Sequence, residues 1–248
     1  MLIINFGAPH RTIAPIDGDP DAPGRGRETL LRDAWLCGQH TRPIVNAPVA
    51  ETHMVGVTFR PDGAFPFLER PVGELTDRVV ALDDVWGPLA GELRERLLTL
   101  AGGPARLDLL EAVLTARLRA AAPPPRRIDR ALSLLTREGG ALPVADVCAT
   151  LGVSPRHLTG EFHRLVGLSP KTFSRIVRFR RALTRAATRA PVDWAALAAT
   201  CEYYDQAHFN RDFRRFSGVT PTAYQRQRAA VFGAMAEEAE QFLPLPPA

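Results

Sequence analysis

The chain has 248 residues, 46% of them hydrophobic, with 31 Lys+Arg against 27 Asp+Glu and a formal net charge of +4. This is ordinary globular composition with enough length for two small domains, which excludes a disordered or low-complexity chain. Cys37, Cys148 and Cys201 stand far apart with no Cys-x-x-Cys pair, which excludes a disulfide framework or zinc ribbon and fits a reducing compartment. No run of eighteen apolar residues occurs, and MLIINFGAPHR lacks the basic region of a signal peptide, so the expected location is cytoplasmic, off the membrane.

The first seventy or so residues are punctuated by Gly and Pro, with short β-prone pieces at Met1–Phe6, Ala34–Cys37, Pro43–Val45 and His53–Phe59. They predict a small β-rich unit. Gly24-Arg25-Gly26-Arg27 reads as a flexible basic loop. From Asp83, Val85, Leu89, Leu93, Leu97 and Leu100 recur at helical spacing, and Leu107, Leu110, Leu114 and Leu118 do so after Gly102-Gly103-Pro104. These two amphipathic helices either pack on the β unit or form the seam of a homodimer. The expected N-terminal unit spans 1–120.

The Ala/Pro run at 121–126 predicts a stiff linker, since three consecutive prolines cannot continue a helix. Charge changes across it. Residues 1–125 carry 13 arginines against 16 acidic residues, whereas 126–228 carry 18 Lys+Arg against 8. A basic segment joined to a mildly acidic one is the footprint of a nucleic-acid-binding domain attached to something else; the plain alternative is a solvated basic face.

Beyond the linker every segment predicts a short helix. Ile128, Leu132 and Leu135 form one, ended by Gly139-Gly140, and Pro143 opens Val144–Thr150. Gly152 permits a tight turn, and Ser154 caps Pro155–Val166 with Leu158, Phe162 and Leu165 on one face and Arg156, Thr159 and His163 on another. A longer Arg-rich helix covers Lys171–Arg189. Asp193–Thr200 follows, then Asp205 as cap for Gln206–Phe216, with Phe209, Phe213 and Phe216 inward and Gln206, Asn210, Arg211 and Arg214 outward. Pro221 starts a last helix, and residues 229–248 form a tail.

These segments repeat. A shift of 51 places sets Leu158 on Phe209, Phe162 on Phe213, Gly167 on Gly218, Pro170 on Pro221 and Phe173 on Tyr224. Two helix-turn-helix units in one chain suit a reader of two successive major-groove segments.

The residues that carry the repeat also carry a resemblance. Over 127–228 the chain resembles the DNA-binding domain of AraC/XylS transcription regulators, through Tyr203-Tyr204-Asp205-Gln206-Ala207-His208-Phe209, Phe213, Arg215, Gly218, Thr220-Pro221 and Tyr224. In the first unit Leu151-Gly152-Val153-Ser154, Leu158, Phe162, Gly167 and Ser169-Pro170 match likewise. The resemblance implies an α+β two-domain chain. Its C-terminal all-α domain has about seven helices and places two of them in adjacent major grooves, and its N-terminal β-rich unit is a sensor or dimerisation domain, cupin-like and less complete. Val55-Gly56-Val57-Thr58-Phe59-Arg60-Pro61 and Leu75-Thr76-Asp77-Arg78-Val79-Val80 carry that second part. The implied partners are double-stranded DNA, a small-molecule effector, RNA polymerase for an activator, and a second copy through the N-terminal unit. The family has Gly where this chain has Glu202, so a β-carbon there is expected to cost about 1 kcal/mol if the turn needs a positive φ.

Site residues follow from side-chain chemistry. Arg156 can bind guanine O6 and N7 or a phosphate; Thr159 can touch a thymine methyl, with Gly160 leaving room for the duplex. Gln206 and Arg211, with Asn210 behind them, are the base-edge candidates of the second unit, whereas His208 sits beside inward Phe209 and suits a phosphate or a structural hydrogen bond. Arg164, Lys171, Arg175, Arg178, Arg215 and Arg226 are assigned to phosphates or solvent. In the N-terminal unit His10, His40 and His53 lack His-x-His spacing, so neither a metal nor a cofactor is expected, and Cys37 reads as a small buried residue. No nucleophile or nucleotide motif occurs, so the chain reads as a regulator and not an enzyme; the rival is a metal- or cysteine-dependent N-terminal enzyme targeted to DNA.

Overall fold

The computed structural model describes residues 1–15, 26–121, 123, 125–186 and 192–226. The Gly24–Arg25 part of the basic loop, two linker positions, the expected helix end after Ala186 and the tail lie outside them.

In the N-terminal unit, β1 (Leu2–Asn5) is buried at every position because it is covered on both faces. It lies in a four-stranded antiparallel sheet of order β6-β1-β4-β7, with β4 at Ala34–Cys37, β6 at Met54–Val57 and β7 at Val79–Ala81. Register follows Leu2 opposite Leu36 and Leu2 opposite Val57. Period-two alternation then sorts the side chains. Leu2, Ile4 and Leu36 enter a core with Trp86, Leu93 and Leu97, whereas Ile3 and Trp35 face Leu31 of a second sheet. That sheet has the order β3-β2-β5, from β2 (His10–Pro15), β3 (Gly26–Leu31) and β5 (Val45–Pro48).

The β-prone pieces of the sequence correspond to β1, β4 and β6, and the piece at 43–45 overlaps β5 at Val45. Strands β2, β3 and β7 were not expected: HRTIAP and GRETLL mix charges with Pro and Gly, and β7 has three residues. The first leucine stripe is broken at Gly87-Pro88 into α1 (Asp83–Trp86) and α2 (Leu89–Thr99), of which Leu93 and Leu97 are buried and Leu89 is exposed. In α3 (Gly103–Ala120) only Leu110 is buried; Leu107 and Leu118 of the expected stripe stay half in solvent.

The C-terminal unit is helical: α4 (Arg126–Arg137), α5 (Val144–Leu151), α6 (Pro155–Leu165), α7 (Pro170–Ala186), α8 (Trp194–Thr200) and α9 (Gln206–Ser217), with residues 221–226 opening a further helix. It holds two cores. Ile128, Leu135, Val147, Leu158, Phe162 and Phe173 make the first; Phe179, Ala182, Leu197, Phe209 and Phe213 make the second. Helix α7 enters both, Phe173 in the first and Phe179 in the second, where Phe179 meets Phe213 edge-on at 5.3 Å. At 17 residues it is about 25 Å long, a stiff bar between the two helix pairs.

The two units touch. The 3-10 turn Val72–Leu75 packs on α6, and Phe65 packs against both the N-terminal core and the first helical core. Arg60 Nη2 reaches Asp129 at 3.0 Å, an exposed ion pair that orients more than it stabilises.

Candidate nucleic-acid interface

Helices α6 and α9 are built alike. Ser154 accepts the His157 N–H at 3.2 Å and Asp205 accepts the His208 N–H at 2.5 Å, each satisfying a donor that the first helical turn leaves free. Both caps agree with the sequence. Leu158, Phe162, Phe209 and Phe213 are fully buried, which anchors the inner face of each helix.

The turn that precedes each helix differs between copies. The first runs Gly152-Val153-Ser154; the second, Glu202-Tyr203-Tyr204-Asp205, is one residue longer and leaves Tyr204 92% exposed. Gly152 adopts φ +64° and Glu202 φ +59°, so the expected positive φ is present at a non-glycine. The Glu202 N–H bonds Ala199 O at 2.9 Å and the Tyr203 N–H bonds Ala198 O at 3.0 Å, the paired closure of a left-handed helix terminus. Glu202 recovers part of its strain through Arg181, whose Nη1 lies 3.2 Å away.

The outward faces hold the expected base readers. Arg156, Thr159 and Gly160 are exposed on α6, and Gln206, Asn210, Arg211, Arg214 and Arg215 are exposed on α9; Lys171 is exposed at the start of α7. Beside α9 lies an open cleft of about 480 Å³, lined by Trp194, Gln206, Asn210, Arg211, Arg214 and Pro221. Its lining is mostly polar and cationic, with Trp194 and Pro221 as its apolar members.

Three of the arginines assigned to phosphates or solvent also have partners within the protein. Arg175 is forked onto Asp212, Nη2 to Oδ1 at 2.5 Å and Nε to Oδ2 at 3.2 Å, a carboxylate with a side chain 1% exposed, and that bonding holds its guanidinium more firmly protonated than usual. Arg178 donates to Gly140 O at 2.7 Å and sits 5.3 Å over the Tyr203 ring. Burial pushes the Tyr203 hydroxyl far above its ordinary value. Arg164 lies 5.1 Å over the Phe65 ring, facing the N-terminal unit. His208 is half-buried, 5.3 Å from the Tyr203 ring and 3.7 Å from Asp212.

In the first unit Arg127 makes two 2.6 Å bonds to Glu161, whose carboxyl is held below the usual glutamate range by that guanidinium. Neither residue was singled out from sequence; a carboxylate on the apolar side of an amphipathic helix was the available signal. In the N-terminal unit His10 is buried against Trp35, His53 is exposed, and His40 lies 3.9 Å from Asp77 with its pKa lowered by burial. The three do not meet, and no group of His, Cys, Asp or Glu suited to a metal occurs among the described residues.

Comparison with known proteins bears on the same segment. A family model described as a helix-turn-helix domain matches residues 147–227, which span α6 and α9. Residues 147–227 form a helix-turn-helix domain. A second family model, a domain of unknown function (DUF6597), matches residues 1–81, ahead of this helix-turn-helix domain. No curated protein matches the chain. Among solved structures, a probable AraC family transcriptional regulator from Rhodopseudomonas palustris is 25% identical, covering 42% of this chain and 98% of its own, with a TM-score of 0.38. The C-terminal domain of AraT, a response regulator from Geobacillus stearothermophilus, is 24% identical over 43% of this chain and 89% of its own, with a TM-score of 0.39. ToxT from Vibrio cholerae is 9% identical but spans 91% of this chain and 88% of its own, with a TM-score of 0.49. No helix of the described residues is long and apolar enough to cross a membrane.

Proposed function

We propose that this chain is a sequence-specific DNA-binding transcription regulator that reads two successive major-groove segments, one with α6 and one with α9. The observation that carries the reading is the duplicated capped helix, each copy buried on its aromatic side and polar on the other, within a basic helix-turn-helix domain. Arg156 and Thr159 supply base contacts from α6, with Gly160 admitting the duplex; Gln206, Asn210 and Arg211 supply them from α9. Lys171, Arg215 and Arg226 meet phosphates, which orient the protein without specifying sequence. The N-terminal unit is the regulatory part, and Phe65 and Thr76 give it a mechanical connection to α6 through which a small effector or self-association can act.

A salt titration tests the electrostatic half of the reading. Affinity for a preferred duplex falls steeply as salt rises, because each neutralised phosphate releases counterion. Arg211→Ala tests the other half: it relaxes preference at one base position at a cost of about 1–3 kcal/mol. Salt-independent binding, or an equal loss on every sequence with Arg211→Ala, contradicts it.

A further inference from the structure

The repeat extends to charged residues that face away from the reading surface. A shift of 51 sets His157 on His208 and Glu161 on Asp212. Glu161 of α6 is buried, forked by Arg127 of α4 at 2.6 Å, and 3.3 Å from His157 Nε2. Asp212 of α9 is buried, forked by Arg175 of α7 through Nη2 to Oδ1 at 2.5 Å and Nε to Oδ2 at 3.2 Å, and 3.7 Å from His208 Nε2. Each arginine comes from the helix that precedes its own helix-turn-helix pair, α4 ahead of α5 and α6, and α7 ahead of α8 and α9.

The arginines are not equivalent in the repeat. The same shift carries Arg127 to Arg178, one turn beyond Arg175, and Arg178 is already engaged by Gly140 and Tyr203. The same fork is therefore made from two different positions on the supporting helix. A passive relic of duplication would have kept the position.

Burying an ion pair is a poor route to stability, since apolar residues of similar volume serve as well or better. What a two-point fork adds is direction. It fixes both the depth and the roll of the helix that carries the carboxylate, whereas packed aliphatic side chains tolerate small rotations. Roll matters here because Asn210 and Arg211 directly precede Asp212, and Thr159 and Gly160 directly precede Glu161.

We propose that Arg127 and Arg175 are positioning residues, each fixing the roll of one reading helix through its buried carboxylate partner, so that base preference at each half of the site depends on its own fork. The proposal rests on α6 and α9 being the reading helices.

The test uses the full chain and three duplexes: the preferred site, and that site with one or the other half-element scrambled. The second half-element is the one whose preference Arg211→Ala relaxes. Wild type discriminates against either scrambled duplex by about tenfold or more. The double variant Arg175→Met/Asp212→Leu replaces the pair by apolar volume and leaves no orphan charge; it loses discrimination at the second half-element and keeps it at the first. Arg127→Met/Glu161→Leu does the reverse. Where melting shows a double variant unfolded, Arg175→Lys or Arg127→Lys, which keeps the charge but not the fork, gives the same half-selective loss. Wild-type discrimination at both halves, or equal loss at both, overturns the proposal. A wild type that does not distinguish the three duplexes overturns the DNA-reading assignment itself, and the positioning role with it.

Discussion

The Thr76 hydroxyl donates to the main-chain carbonyl of Gly167, tying the N-terminal unit to the turn that ends α6. Gly167 has φ +89°, and a β-carbon there would meet Val72 at 3.1 Å, so the turn and the N-terminal unit fit closely. The repeat-equivalent turn is touched as well: a β-carbon on Gly218 would come within 2.9 Å of the Pro43 ring. One unit thus rests against the same turn after both α6 and α9.

Phe65 packs on both the N-terminal core and the first helical core, and is expected to couple the melting of the two units. Phe65→Ala removes roughly 2 kcal/mol, less than a fully buried phenylalanine because the ring is half-buried. Differential scanning calorimetry is expected to show one transition for wild type and two for the variant. A single transition in both contradicts the coupling.

Glu202 separates two opposing terms. Glu202→Gly releases about 1 kcal/mol of left-handed backbone strain and forfeits an exposed pair with Arg181 that contributes less, so the variant melts slightly higher. Glu202→Ala keeps the strain and loses the pair, so it melts lower. Equal melting of the glycine and alanine variants contradicts the strain account.

Arg175 and Arg211 differ in kind. Arg175→Ala leaves Asp212 buried without its partner and costs about 3 kcal/mol of stability, visible in a urea midpoint without DNA. Arg211→Ala, on an exposed face, stays within about 0.5 kcal/mol of wild type. Comparable midpoints for both variants contradict the assignment of Arg175 to the fold.

How much of this was legible in the sequence depends on the separation of the partners. The repeat was legible because Gly, Pro and aromatic residues mark turns and buried faces locally, and Ser154 and Asp205 act within three residues of themselves. Arg175 was not, since Asp212 is 37 residues away and an arginine on a basic helix looks the same whether it meets a phosphate or a carboxylate. The Arg164 contact was hidden for a similar reason, its ring partner Phe65 lying in the other unit. The β layer was half legible: β1 and β4 are apolar runs, whereas β2 and β3 are polar strands identified by their pairing.

The Arg127 fork makes stability sensitive to acid. The folded Glu161 pKa lies below its unfolded value, so the contribution is complete above the ordinary glutamate value of about 4.3 and is lost as pH falls through the folded value. The urea midpoint of wild type therefore exceeds that of Glu161→Gln by a constant margin above about pH 5, and the margin closes below about pH 4. Profiles that stay parallel down to pH 3 contradict the pairing.

Enrichment of duplexes from a random pool by the purified full chain tests the two-helix reading most directly. The account predicts two half-elements on one face of the DNA, about one helical turn apart, at a fixed spacing. Enrichment of a single undivided element, or of none, contradicts it.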